Sequence, residues 1–147
     1  MKLHVLKPSV NNMAARVFVR AAKLGFTEDD VYGKTRTKEF LAMNPAHLTP
    51  MIEVKGLPKG VLWESCAIMQ YLCNKHELIK FYPKAPAKRA MIDSAMFYLI
   101  GTLYPLVARA TYPSLGFAQY AGEVGTSDVT PEQKAAEIGR ASCRERV

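Results

Sequence analysis

Cysteine is scarce in this chain: only Cys66, Cys73 and Cys143 are present, with no CxxC or CxxxC pair among them. An odd count at these spacings argues against a disulfide framework and against a zinc site, and free thiols fit a reducing compartment. Long apolar runs are lacking too. The longest are interrupted by Gly101, Pro105 and Arg109, so no bilayer span and no membrane partner are expected. The opening MKLHVLKPSV has a lysine and then a short strand-like segment, without the apolar region and small-residue cleavage site of a signal peptide, so a cytoplasmic location is expected. There is no internal repeat and no low-complexity segment. No block of basic residues is interleaved with aromatics, which argues against a nucleic-acid partner.

What remains is ordinary for a soluble globular protein: 49% hydrophobic and 22% charged residues over 147 positions, enough to bury one core. The formal net charge is +7. The last ten residues, IGRASCRERV from Ile138 to Val147, read as a translated sequencing adapter and are set aside from the fold. Without their three Arg and one Glu the charge falls from +7 to +5. The other cations are scattered over Lys2, Lys7, Arg16, Arg20, Lys23, Lys34, Arg36 and Lys38, a mild positive field that suits a small anionic ligand.

Local patterns predict a strand over Lys2 to Leu6, then a helix from about Asn12 to Leu24, where Met13, Val17, Ala21 and Leu24 recur at helical spacing before Gly25. Thr27 to Tyr32 reads as an exposed or edge strand because of Glu28, Asp29 and Asp30. Thr37 to Ala42 reads as a short helix with Phe40 and Leu41 inward, stopped by Asn44-Pro45. Met51 to Val54 and Val61 to Trp63 are strands around the turn Leu57-Pro58-Lys59-Gly60. A helix then runs to about His76, with Ser65 as its N-cap and Ile68, Leu72 and Met69 as inward candidates. The two-proline connector Phe81 to Pro86 is the best boundary, and beyond it Ala87 to about Tyr112 is a long helix that Pro105 should kink. Residues 116–127 read as a loop, and Thr130-Pro131 as another helix start. This order predicts a small mixed sheet with helices on both faces, then a helical domain too short to close its own core, so that a partner element is missing.

Three stretches carry chemistry. In Pro8-Ser9-Val10-Asn11-Asn12 a strand hands over to a helix, whose free N–H groups and positive dipole end could meet a ligand beside small polar side chains; the same residues also serve as ordinary caps. In Asn44-Pro45-Ala46-His47-Leu48-Thr49-Pro50 a proline directly precedes a strand. A cis Thr49-Pro50 bond would turn the Thr49 backbone outward to pair with an extended peptide, whereas a trans bond would make this an ordinary turn, with His47 a surface loop residue. In Trp63-Glu64-Ser65-Cys66 a carboxylate and a hydroxyl at a helix start could clamp an amino-acid-like group, or simply complement the helix dipole.

In joint order and spacing, Ser9 after the first strand, NPAHLTP at 44–50, WESCAI at 63–68, Tyr71-Leu72 and FYP at 81–83 resemble the cytosolic glutathione transferases, especially the theta, delta and bacterial theta-like groups, over about residues 1–120. The resemblance implies an α/β fold: a thioredoxin-like N-terminal domain (βαβαββα) over 1–83, followed over 84–137 by the linker and part of an all-α C-terminal domain, truncated relative to the family. It implies glutathione as co-substrate, no metal, a small electrophile as second substrate, and a homodimer in the full-length parent. Ser9, Asn11 and Asn12 would supply the thiol-activating group. Thr49, beside cis Pro50 and Leu48, would pair with the cysteinyl backbone. Glu64 and Ser65 would hold the γ-glutamyl end, His47 would reach the glycyl carboxylate, and Tyr98, Tyr104 and Arg109 are candidates for the electrophile wall. The physical task is to favour thiolate over a thiol of pKa about 8.5. Lowering that by about two units takes about 2.7 kcal/mol, the order of one good hydrogen bond plus a helix N-terminus. Two features depart from the pattern: the spacing from Ser9 to Arg16 is longer, which brings Asn11 toward the activating position, and Cys66 stands where the family often has Arg. The implied activity is conjugation of glutathione to electrophiles; the alternatives are a non-catalytic interaction module of the same fold and a glutathione-dependent isomerase or dehalogenase.

Overall fold

The chain divides into two compact units, Met1–Ala85 and Pro86–Val147, and the computed structural model describes residues 1–111. The loop expected at 116–127, the helix start at Thr130-Pro131, Cys143 and the segment Ile138–Val147 lie outside the described residues, as does the side chain of Arg109.

In the first unit the elements are β1 (Lys2–Val5), α1 (Val10–Ala21), β2 (Thr27–Asp30), α2 (Lys38–Met43), β3 (Met51–Glu53), β4 (Val61–Trp63) and α3 (Ser65–Lys75), the expected βαβαββα order. The strands form one sheet in the order β2-β1-β3-β4. β2 lies parallel to β1, and β3 is antiparallel to both β1 and β4. Side chains alternate across the sheet with period two. Leu3, Val5 and Ile52 face α1 and α3 and pack with Val19, Ile68 and Leu72. On the other face Met51 and Val61 pack with Val31 and Phe40 of α2, and His4 meets the Phe40 ring edge-on. Leu3, Ile52, Ile68 and Leu72 are almost completely buried, each contributing on the order of 1.5–3 kcal/mol.

Two details of α1 differ from the pattern read in the sequence. Met13 and Val17 are exposed at 50% and 60%, and the buried positions are Asn12, Ala15 and Val19. The periodicity identified the helix, but Met13 and Val17 of the expected stripe mark its outer side. The helix also ends before Gly25. Lys23 takes the left-handed conformation (φ 54°), and the Lys23 and Leu24 N–H groups close back onto the Arg20 and Val19 carbonyls, the paired bonds of a Schellman turn. Similarly, α3 starts at Ser65, so its N-cap is Glu64 rather than the serine. Of the residues expected inward, Phe40, Ile68 and Leu72 are buried, whereas Leu41 and Met69 are half-buried.

Several of the cations that suggested a free positive field are already paired. Glu28 of β2 receives Arg16 through two bonds, Nε at 2.9 Å and a terminal nitrogen at 3.1 Å, and Arg20 at 2.7 Å. Lys2 lies 3.0 Å from Asp29 and 3.7 Å from Glu53, while the His4 ring reaches Asp29 through Nδ1 and Glu53 through Nε2, tying β1 to both neighbours.

In the second unit, α4 (Pro86–Tyr98) runs into a π-helical turn (Leu99–Leu103) and then α5 (Tyr104–Thr111). The expected irregularity at Pro105 takes this form: proline has no N–H to donate one turn back and its ring crowds that carbonyl, and a widened turn just before it absorbs the misfit. The unbroken helix over Pro86–Ala108 is 23 residues long with a mean hydropathy of 1.4. It therefore has the length and apolarity of a bilayer span, which the sequence reading did not anticipate; core helices of soluble proteins meet the same test.

The Glu28 carboxyl sits below its ordinary range, chiefly because Arg16 hydrogen-bonds it. A depressed folded-state value means that the stabilisation is complete above the unfolded carboxylate range and is lost as the pH falls through the folded value. Glu28→Gln should therefore lower stability by about 1 kcal/mol near neutral pH, with the gap to the parent closing below about pH 4. Denaturant melts at the two pH values measure it.

Candidate functional site

The strand register brings the three chemistry-bearing stretches to one end of the sheet. His4 pairs with Met51, and Met51 pairs with Trp63. The chain leaving β1 through Leu6 to Ser9, the chain entering β3 through His47 to Pro50, and the chain leaving β4 through Glu64 and Ser65 therefore emerge side by side from three adjacent strands. With strands about 4.8 Å apart, they span about 10 Å.

The β1–α1 turn is closed by Ser9 N–H donating to the Leu6 carbonyl at 3.0 Å, and Met13 N–H then donates to the Ser9 carbonyl at 2.9 Å to begin the helix. Ser9 is the N-cap of α1, yet its hydroxyl makes no capping bond. The capping-only reading of this serine thus finds no support, and its hydroxyl stays available beside the free N–H groups of the first turn. Ser9 and Asn11 are half-buried. Asn12 is different: it has no exposed surface, and its Oδ1 accepts the Leu6 N–H at 3.1 Å. The sequence reading grouped it with Ser9 and Asn11 as a thiol-activating candidate. Its side chain is enclosed beneath the turn, unlike the half-buried Ser9 and Asn11.

The second stretch is organised by Asn44, which sequence reasoning took only as a helix stop. Fully buried, Asn44 donates through Nδ2 to the Leu48 carbonyl at 2.8 Å, accepts the Ala46 N–H at Oδ1 at 3.1 Å, and accepts the His47 N–H at its own carbonyl at 2.9 Å. These bonds hold His47 in the left-handed region (φ 47°). The Thr49–Pro50 bond is cis. Pro50 is buried, Leu48 is exposed at 47%, and His47 and Thr49 are half-buried. Among the described residues, Thr49 makes no hydrogen bond through its backbone or side chain.

The third stretch carries a backbone strain invisible in the sequence. Glu64 has φ 70° and ψ 118°, a conformation that a residue with a Cβ adopts at a cost of about 1–3 kcal/mol. Its side chain is exposed and makes no capping bond, and no cation among the described residues pairs with it. Ser65 follows as the first residue of α3 and is 4% exposed. Cys66 is 7% exposed, and burial holds its thiol above the ordinary range against a hydrogen bond from Ser65. A thiol so disposed is protonated and poorly nucleophilic. Cys73 is likewise buried.

A concavity of about 600 Å³ lies at the opposite end of the sheet, lined by Met1, Lys2, Phe26, Thr27, Glu53, Val54, Lys55 and Gly60. It contains none of the stretches above, and Lys2 and Glu53 within it already pair with each other. The polar groups without partners lie instead at the other end of the sheet, on the three stretches described above. In the second unit, Tyr98 ends α4 and Tyr104 begins α5, and the Tyr98 hydroxyl is enclosed without a hydrogen-bond partner among the described residues. No group of three or more His, Cys, Asp or Glu side chains among the described residues is arranged to hold a metal ion.

Residues 1–74, half of the chain, match the family model described as glutathione S-transferase, N-terminal domain. Among solved structures, a Bombyx mori glutathione transferase is 30% identical, with a TM-score of 0.76 over 95% of this chain and 61% of that one. An epsilon-class glutathione S-transferase from the housefly Musca domestica is 27% identical, with a TM-score of 0.77 over 95% of this chain and 62% of that one. A theta-class enzyme from Xanthomonas axonopodis pv. citri, solved with glutathione bound, shares the fold at 24% identity and a TM-score of 0.74, over 95% and 64% of the two chains. The sheet and its helices are thus a thioredoxin-like domain, and the chain spans about three fifths of the length of these structures.

Glu64 makes a prediction that separates strain from chemistry. Glycine adopts φ 70° freely, so Glu64→Gly should hold or raise the melting temperature while removing the carboxylate. Glu64→Ala keeps the strain and loses the same group. Thermal melts compare the two, and equal destabilisation by both would mean that the backbone there is unstrained.

Proposed function

This chain belongs to the glutathione S-transferase family, and from that premise we propose that its first unit binds glutathione at the end of the sheet where β1, β3 and β4 converge and favours the thiolate for attack on small electrophiles. The observation that carries the reading is that Ser9, Thr49 and Glu64 stand on adjacent strand ends with polar groups unspent on the fold. An extended tripeptide is about 10 Å long, which matches the span of three neighbouring strands. In this reading Glu64 takes the γ-glutamyl ammonium, and the Ser65 hydroxyl with the free N–H groups at the start of α3 takes its carboxylate. The Thr49 backbone pairs with the cysteinyl residue, antiparallel-sheet fashion, with Leu48 and Pro50 shaping that edge. His47 reaches toward the glycyl carboxylate.

The sulfur then lies near the β1–α1 turn. Ser9, with Asn11 as the neighbouring donor, hydrogen-bonds the thiolate, and the α1 N-terminus adds its positive end. The thiol proton leaves to solvent, the sulfur lone pair forms the new C–S bond, and the electrophile releases its leaving group or accepts the electron pair. A glutathione-dependent isomerase or dehalogenase shares the first half of this sequence. Glutathione is a bound theme among structures of this fold, including the theta-class enzyme above, which supports the choice of ligand. A homodimeric parent, a small electrophile and a cytoplasmic location belong to the same proposal, as does the division into a glutathione-binding domain over 1–83 and a partial helical domain over 84–137.

Retention of the 147-residue chain on immobilised glutathione, with elution by free glutathione, tests the reading. The parent is expected to bind, and Glu64→Ala and Ser65→Ala each to weaken binding by about tenfold, the loss of one charge-assisted contact. No retention, or retention indifferent to both substitutions, contradicts it. Turnover of an activated aromatic chloride then separates enzyme from binding module: retention without turnover leaves only the non-catalytic alternative for this chain.

A further inference from the structure

We infer that Asn12 is a positioning residue for thiol activation: from beneath the β1–α1 turn it fixes the Ser9–Asn11 segment relative to the sheet, and this inference rests on the glutathione reading above. Leu6, the first residue past β1, has both backbone groups committed to that segment. Its carbonyl accepts Ser9 N–H at 3.0 Å, and its N–H donates to Asn12 Oδ1 at 3.1 Å. Ser9 is thereby held at both ends, through its N–H to Leu6 and through its carbonyl to Met13 N–H at 2.9 Å, while its hydroxyl stays uncommitted. Asn12 closes the ring of contacts from the helix side.

Stability alone does not account for an asparagine here. Asn12 has no exposed surface, and its Nδ2 finds no acceptor among the described residues. Buried polar groups are ordinarily satisfied, and an apolar side chain of similar size would fill the position without an unpaired donor. What an apolar residue cannot supply is the acceptor for Leu6 N–H. Without that bond the turn is attached to the sheet only through Ser9 N–H and Leu6 O, and the hydroxyl loses its fixed bearing. Hydrogen bonds to a thiolate act over a few tenths of an ångström, and displacement of a donor by about 1 Å removes most of the benefit. The ligand's backbone contacts, which belong to β3 and α3, are untouched by Asn12.

Two ligands separate the effects. S-methylglutathione has no ionisable thiol and reports on the clamp alone; glutathione reports on thiol ionisation through the ultraviolet absorbance of the thiolate, titrated against pH. For Asn12→Leu the expected result is a folded protein, S-methylglutathione affinity within about twofold of the parent, and a bound thiol that titrates about one pH unit higher, a tenfold loss of thiolate. Asn12→Asp restores an acceptor for Leu6 N–H, since full burial favours its neutral acid, and should titrate with the parent. If Asn12→Leu leaves the thiol titration where it was, or weakens S-methylglutathione in step with it, the positioning role is wrong. Should Asn12→Leu fail to fold, Asn12→Asp decides alone: titration with the parent supports the brace, and a one-unit rise overturns it. A parent chain that binds neither ligand overturns the glutathione reading instead, which is a different result from any of these.

Discussion

The antiparallel registration of β3 against both β1 and β4 is the constraint on which the rest of the structure depends. Because β3 runs opposite to its two neighbours, its entrance stands beside their exits. Three loops of unrelated sequence are thus delivered to one edge without any contact between them being required. The register is secured by the side chains themselves. A slip of one residue would turn Ile52 out of the α1–α3 layer and Met51 out of the α2 layer, exchanging the faces of two fully buried residues. Lys2 pairs with Asp29 and Glu53, and the His4 ring contacts the same two carboxylates, so that β1 is tied to β2 and β3 from the α2 face.

At that edge the fold leaves groups unspent. Elsewhere among the described residues polar atoms are spent locally, as at Asn44, whose amide and carbonyl serve three partners within one loop. Ser9, Thr49 and Glu64 do not follow that habit, and Glu64 also holds a positive φ that a glycine would take without strain. Strain and unused donors at one place are the mark of a surface organised for something other than its own stability. Cys66 lies next to this edge, where burial pushes its thiol up. The sulfur that reacts, in this account, is the ligand's.

Much of the fold was legible because strands and helices here obey simple periods and stops. The edge character of β2 followed from its three acidic residues, and the order of elements followed from turn residues. The inner face of α1 was not legible. An asparagine and an alanine occupy its core positions while Val10, Met13 and Val17 lie outside, so the apolar stripe in the sequence pointed the wrong way. The same inversion hid Asn12, since a polar residue near a helix start reads as a surface group or a cap. The end of α1 at Lys23 rather than Gly25, the cap at Glu64 rather than Ser65, and the widened turn before Pro105 all depend on φ values and backbone bonds that residue identities do not encode. In the site, the three stretches were identified by spacing, whereas their adjacency came only from the register.

The convergence of those stretches on one ligand is the central claim, and amide chemical shifts measured during a glutathione titration of the isotopically labelled chain test it most directly. The account predicts that the amides of Ser9, Asn11, Thr49 and Ser65 move together on one saturable isotherm, with Lys2, Thr27 and Lys55 at the far end of the sheet unmoved. Shifts confined to a single stretch, or centred on that far end, would contradict it.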